Sequence, residues 1–319
     1  MSSRGSSFVS TEGDGTDGAI AGRADSESLR DKITRYYSLT KPGVLYGNVL
    51  TAAAGFLLAS RGSVDTLLFL ILVIGTTLVI ASATVLNNVL DRDIDQEMER
   101  TKKRATVTGR IGARNATIFS IILGVTGMAM LILWTNWLVV AVGLGGFITY
   151  VVLYGMLSKR MSIHGTLVGS ISGAAPILAG YVGVTGSIDA AAIIAFLAMF
   201  FWQMPEFFSI SIYRHDEYER AGVPVISVVR GIQHTKIQIF VYTVLFVVST
   251  LLLQPFGYVG WVYTAVMGAL GVYWIAIGIV GLSPSSKEAD EHWARKMFRF
   301  SLVMVLALCL MVSIGPILP

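Results

Sequence analysis

The 319 residues are 54% hydrophobic and 14% charged, with a mean hydropathy of +0.68, which is more apolar surface than one water-soluble core can hide, so lipid must be the solvent. The single cysteine, Cys309, lies in the last apolar run with no partner in the chain, which excludes a disulfide framework, a cysteine metal site and thiol catalysis. The net charge of +4 says little as a sum, but in a membrane protein the position of each Lys and Arg reports orientation.

Residues 1–30 are rich in Ser and Gly and lack a continuous apolar stretch, so they read as a disordered cytoplasmic tail ahead of one membrane domain over 31–319. Leu29, Ile33, Tyr36 and Tyr37 then recur at helical spacing among Arg30, Asp31, Lys32 and Arg35, which predicts a short interfacial helix. Thr40-Lys41-Pro42 marks the entry into the membrane. Nine apolar stretches follow, near 43–60, 66–90, 116–134, 137–157, 165–185, 190–212, 237–256, 260–282 and 297–315, each about long enough for a hydrocarbon core of roughly 30 Å. The expected fold is an all-α polytopic membrane protein of nine transmembrane helices. With the N-terminus cytoplasmic, every Lys and Arg of the 24 except Arg61 falls on the cytoplasmic side, which predicts that orientation and puts Pro319 on the far side.

The chemistry is expected at the cytoplasmic ends of two spans. Asn87, Asp91 and Asp95 stand at i, i+4 and i+8 where span two ends, so on a helix they share one face. A charge near the bilayer centre costs on the order of 2.5–3.5 kcal/mol, less near the end, so a compensating cation is expected. Oxygen ligands in this pattern suit Mg²⁺, which takes one or two carboxylates and completes its octahedron with water and substrate phosphate. Arg100, Lys102, Lys103 and Arg104 follow directly and can hold the same phosphates. The bland alternative is a solvated basic loop; two acids in register with an intramembrane Asn weigh against it.

Span six closes with Trp202-Gln203-Met204-Pro205-Glu206, then Tyr213-Arg214-His215-Asp216-Glu217-Tyr218. Spans two and six run in the same direction, so Asp216 and Glu217 are expected to face the first motif and hold a second metal ion. Glu206 lies inside an apolar run, where an idle carboxyl is unfavourable, and is expected to serve as a hydrogen-bonding or proton-handling group. Gly165, Gly169 and Gly173, spaced by four, read as a close-packing stripe.

Thr40-Lys41-Pro42-Gly43, the Asn87 to Thr101 acidic segment, Lys159-Arg160, Gly165 to Pro176, Trp202 to Pro205, Ala221-x-x-Pro224-Val225 and Trp293-Ala294-Arg295-Lys296 together resemble the heme O synthases of the UbiA-type superfamily of intramembrane prenyltransferases. The resemblance runs in order from about residue 34 to 310. It implies helices around a central cavity that opens laterally to lipid, in the cell (inner) membrane. It further implies Mg²⁺ as cofactor, farnesyl diphosphate as donor and heme B as acceptor, with heme A synthase or terminal oxidase assembly downstream and no nucleic-acid partner. Carried over residue by residue, Asn87, Asp91, Asp95, Glu206, Tyr213 and Glu217 take catalytic roles. Lys41, Arg100, Lys103, Arg104, Lys159, Arg160, Trp202, Arg214, Asp216 and Tyr218 bind substrate, and the metal falls to Asn87, Asp91, Asp95, Asp216 and Glu217. Where the family usually has His, Asp and Pro, this chain has Glu206, Glu217 and Ser227. Two rival readings are a prenyltransferase acting on a quinone precursor such as 4-hydroxybenzoate, and an ion or metabolite transporter. A transporter would place its charges near the midplane rather than at one face.

Overall fold

The computed structural model describes residues 28–99, 101–283 and 285–319, with the Arg160 side chain excepted. The tail expected over 1–30 thus lies outside the described residues as far as residue 27, as does Arg100. Ser28 already belongs to the folded part: its Oγ accepts from the Asp31 backbone N–H at 3.2 Å and caps α1, Leu29–Leu39. The helix therefore starts two residues before the expected boundary. Leu29, Ile33 and Tyr37 remain uncovered along one stripe of α1, as an interfacial helix requires.

Among the described residues nine helices are long and apolar enough to cross a membrane, and no strand is present. They are α2 (Pro42–Ser60), α3 (Thr66–Leu90), α5 (Ala113–Trp134), α6 (Trp137–Ile148, continued by a π-helical stretch Thr149–Ser158), α8 (Gly165–Thr185), α9 (Ala190–Tyr213), α12 (Ile232–Leu251), α13 (Trp261–Gly281) and α14 (Lys287–Ile314). Short helices α4 (Arg92–Glu97), α7 (Lys159–Met161), α10 (His215–Arg220) and α11 (Ile226–Arg230) lie in the connections.

The largest departures from the expected limits are in two spans: α12 runs Ile232–Leu251, five residues early at both ends, and α14 begins at Lys287, ten residues early, because Lys236 does not end the membrane segment. Its ammonium is buried, bonded to Asp290 at 2.6 Å and to the Ser283 carbonyl at 2.8 Å, and lies 5.8 Å from the Trp293 ring, so the charge is carried inside the helix pair. The fourth span changes from α to π geometry halfway.

Neighbouring helices pack in a closed ring in the order α5, α3, α2, α14, α13, α12, α9, α8, α6 and back to α5. The ring is flattened, so that α2 also touches α8 and α14 also touches α9. Small residues permit the first of these crossings. A Cβ on Gly55 would fall 2.0 Å from the Ile177 carbonyl oxygen, and one on Gly180 would fall 2.0 Å from that of Ala52, so the two backbones approach as only glycine allows. Trp134, Trp137 and Trp261 are exposed at the end of the ring remote from the acidic motif, where amphipathic rings settle at a lipid boundary. The opposite end, here the basic face, carries the charged connections.

Candidate active site

Helix α3 ends at Asp91, whose backbone (φ −90°, ψ 7°) breaks the helix before α4 resumes it. The Asp95 N–H still donates to the Asp91 carbonyl at 2.8 Å, so Asn87, Asp91 and Asp95 follow one another across the break. All three are buried, at 2%, 1% and 3% exposure.

Each of the three meets a cation. Lys41 Nζ donates to Asn87 Oδ1 at 2.7 Å, Lys159 Nζ to Asp91 Oδ2 at 2.6 Å, and Arg104 Nη1 to Asp95 Oδ2 at 2.5 Å. Three cations thus stand over two carboxylates, an excess of positive charge in a desolvated place. Burial, reinforced by the nearby Arg104 and Lys159, brings the Lys41 ammonium down to about 7. Burial also pulls on Lys159, but Tyr154 and Asp91 overcome it and hold that ammonium above the ordinary lysine range. Lys41 has a left-handed backbone, φ 51°, at the N-terminus of α2. Its turn is tied to α3, because Thr84 Oγ1 donates to the Thr40 carbonyl at 3.0 Å and Asn88 Nδ2 to that of Leu39 at 2.8 Å.

Sequence reasoning missed Tyr150, whose hydroxyl donates to Asn87 Oδ1 at 3.3 Å. Its nine-residue separation from Lys159 hides the partnership. At 100° per residue the two would point to opposite sides of an α-helix, whereas a π-helix of roughly 4.4 residues per turn returns them to one side. The same stretch meets the glycines of α8: a Cβ on Gly169 would lie 3.1 Å from the Tyr154 ring, and one on Gly165 would lie 3.3 Å from the Lys159 Cα. The third, Gly173, leaves room for Gln203, whose Nε2 donates to the Ser170 and Met199 carbonyls, both at 3.0 Å.

The donor set fits a hard divalent cation. Asp91 Oδ1 is buried and accepts from no described residue, which leaves an acceptor that a metal ion or its water would satisfy. Asn87 Oδ1 and a carboxylate from each of Asp91 and Asp95 complete a set of the size that Mg²⁺ takes from protein.

The second acidic motif is arranged differently. Asp216 is exposed and bonded to Lys287 Nζ at 2.6 Å, and Glu217 is paired with Arg214 at 3.0 Å. Among the described residues no three His, Cys, Asp or Glu side chains gather as a metal cluster. Glu99, beyond the first motif, is held below the usual carboxylate range by Lys102 and, more weakly, by Arg220 of α10. Lys103 is exposed, unlike half-buried Arg104.

Along α9 the side chains sort by direction. Trp202 Nε1 donates to the Ser301 carbonyl of α14 at 2.8 Å, and Tyr213 meets Phe298 of α14 with centroids 5.9 Å apart. The guanidiniums of Arg214 and Arg295 lie 5.8 and 5.5 Å from the Tyr213 ring. Gln203 reaches α8 instead. At 100° per residue Glu206 falls between the directions of Trp202 and Gln203, so it projects from α9 between α14 and α8. It is half-buried, with no hydrogen bond or ion pair among the described residues. Ser227 is fully buried and its Oγ donates to the Ser211 carbonyl at 2.8 Å, a bond that a proline there could not make. Tyr218 is half-buried.

The model of the UbiA prenyltransferase family matches residues 48–303. A protoheme IX farnesyltransferase of Pseudomonas putida is 46% identical over 282 residues, 88% of this chain and 95% of that protein. One from Photorhabdus laumondii is 42% identical over 287 residues, 90% of this chain and 97% of the relative. Among solved structures, a digeranylgeranylglyceryl phosphate synthase superposes with a TM-score of 0.75 at 19% identity, over 90% of this chain and 99% of that one. A UbiA homologue from Archaeoglobus fulgidus, bound to GPP and Mg²⁺, superposes with a TM-score of 0.57 at 14% identity, over 85% and 99%.

Proposed function

The chain belongs to the UbiA prenyltransferase family, and from that membership we propose that it transfers the farnesyl group of farnesyl diphosphate to the 2-vinyl group of protoheme IX, giving heme O and diphosphate. The observation that carries the acceptor is the 46% identity to a protoheme IX farnesyltransferase across 95% of that relative's length. The transfer itself is supported by the buried cluster of Asn87, Asp91 and Asp95 under Lys41, Arg104 and Lys159.

Asn87, Asp91 and Asp95 would hold Mg²⁺, which when bound neutralises charge on the leaving diphosphate. The three cations that now cover these oxygens would turn to the diphosphate oxygens as the site fills. Lys41, Arg104 and Lys159 then stabilise charge where it develops as the carbon–oxygen bond breaks and its electron pair leaves with diphosphate. The allylic cation is attacked by the vinyl π-electrons to form the new carbon–carbon bond, and a water oxygen adds to the carbon left electron-deficient. That water must lose one proton, and Glu206, without a partner among the described residues and projecting inward from α9, would accept it. Farnesyl diphosphate, heme B and water thus balance with heme O, diphosphate and a proton.

The basic face would be cytoplasmic, with the N-terminus on that side, since Lys and Arg concentrate there. Incubating the membrane-embedded protein with farnesyl diphosphate and Mg²⁺ tests the reading. Diphosphate release should require added heme B, cease with EDTA and return with Mg²⁺. Release that is indifferent to heme B would remove the acceptor from the account.

A further inference from the structure

On α14, His292, Lys296 and Arg299 follow at i, i+4 and i+7 and line one stripe of the helix. Two acids of the same segment are paired elsewhere, Asp290 with Lys236 at 2.6 Å and Glu291 with Arg295 at 3.0 Å, and the third, Glu288, one turn before His292, accepts from Ser286 Oγ at 3.5 Å. Among the described residues no carboxylate pairs with Lys296, Arg299 or His292; Arg299 Nε donates at 3.3 Å to the Arg295 carbonyl of its own helix.

The stripe opens onto a cavity of about 450 Å³ between α14 and α13. Its floor is apolar: Tyr273 and Ile277 rise from α13, and Phe300 and Val303 from α14, with the Tyr273 and Phe300 rings edge-on at 5.0 Å. The polar and apolar parts are graded in depth. Val303 lies one turn deeper than Arg299, and Tyr273 lies eight residues, roughly 12 Å, inside the end of α13 at Gly281. The cavity is separate from the candidate active site, because Phe298 and Ser301, which meet Tyr213 and Trp202 of α9, lie about 100° or more around α14 from the stripe.

We propose that this cavity is a binding site for an anionic phospholipid, whose phosphate is held by Lys296 and Arg299 with His292 as a further donor and whose acyl chain lies on Tyr273, Phe300 and Val303. Charge complementarity selects the headgroup, and the apolar floor beneath it selects an amphiphile over a soluble anion. The general excess of positive charge at this face accounts for cations in the connections. It does not account for two of them, with a histidine, unpaired on one helical stripe over an aromatic-walled cavity.

Reconstitution in nanodiscs of equimolar phosphatidylglycerol and phosphatidylcholine, followed by mass spectrometry of the lipids retained on the purified protein, tests the proposal. Phosphatidylglycerol should be retained selectively, and Lys296→Ala and Arg299→Ala should each reduce that selectivity on the order of fivefold. Lys296→Arg should retain it. Equal retention of the two lipids by the unmodified protein, or unchanged selectivity in the Lys296→Ala, Arg299→Ala double variant, would overturn the site. So would displacement of the lipid by millimolar inorganic phosphate, which would identify a small-anion site, or a heme absorbance change that His292→Ala abolishes, which would identify a porphyrin site. The thermal midpoint in lipid-free detergent should be unchanged in each variant; selectivity that falls only together with that midpoint would reduce the stripe to a structural role and contradict the proposal.

Discussion

Asp91 gives one carboxylate oxygen to Lys159 and keeps the other buried without a described partner, so the residue is at once an ion-pair member and a vacant acceptor. Replacing it therefore has two consequences that can be separated. Asp91→Asn leaves the Lys159 ammonium facing a neutral amide and should destabilise the protein by about 3 kcal/mol, the low end for a buried pair because Lys159 is 21% exposed. Adding Lys159→Gln should restore most of that stability without restoring heme O formation. Thermal midpoints and activity measured on the two variants check this, and recovery of activity by the double variant would refute a metal-holding role. The basic cluster also divides. Arg104→Ala should raise the KM for farnesyl diphosphate at least tenfold more than Lys103→Ala, since only the former touches the acidic motif; equal effects would contradict this assignment. Glu206→His should keep activity, while Glu206→Ala should fold normally and turn over slowly. An active Glu206→Ala would place the proton elsewhere. The register of Asn87, Asp91 and Asp95 was legible in the sequence because an amide and two carboxylates spaced by four at the end of an apolar run are costly unless a cation meets them. Tyr150 was not, since its partnership depends on a local geometry that no residue type announces.

At the scale of elements, the π-helical stretch Thr149–Ser158 brings Tyr150 and Lys159 to one side. Deleting Val152, a lipid-facing residue of that stretch, should let the segment relax to α geometry and rotate one of the two away. The expected outcome is a protein that still inserts but loses heme O formation by at least about a hundredfold, measured beside circular dichroism. Near-normal activity would show that the register is unimportant. Helix crossings make a second case: Gly180→Ala drives a methyl onto the Ala52 carbonyl and should lower stability by about 1–3 kcal/mol, whereas Gly47→Ala, with nothing within 4 Å, should not. Most helix limits followed from hydropathy alone. The early starts of α12 and α14 did not, because a buried Lys236–Asp290 pair reads in sequence as two loop charges.

For the whole molecule, hydropathy and the lopsided placement of Lys and Arg made nine spans with chemistry at one face legible, and the ring of helices puts the acidic motif at that face. The second motif was less legible: Asp216 and Glu217 are held by Lys287 and Arg214, basic partners far and near in sequence, so acidic residue type alone did not reveal what they contact. The central claim is that an apolar helix ring delivers a prenyl diphosphate to a metal and basic clamp beside a porphyrin acceptor. Mass spectrometry of product from membranes given farnesyl diphosphate, Mg²⁺, heme B and 4-hydroxybenzoate together tests it most directly. The account predicts heme O with no prenylated benzoate, abolished in Asp95→Ala; prenylated benzoate without heme O would contradict it.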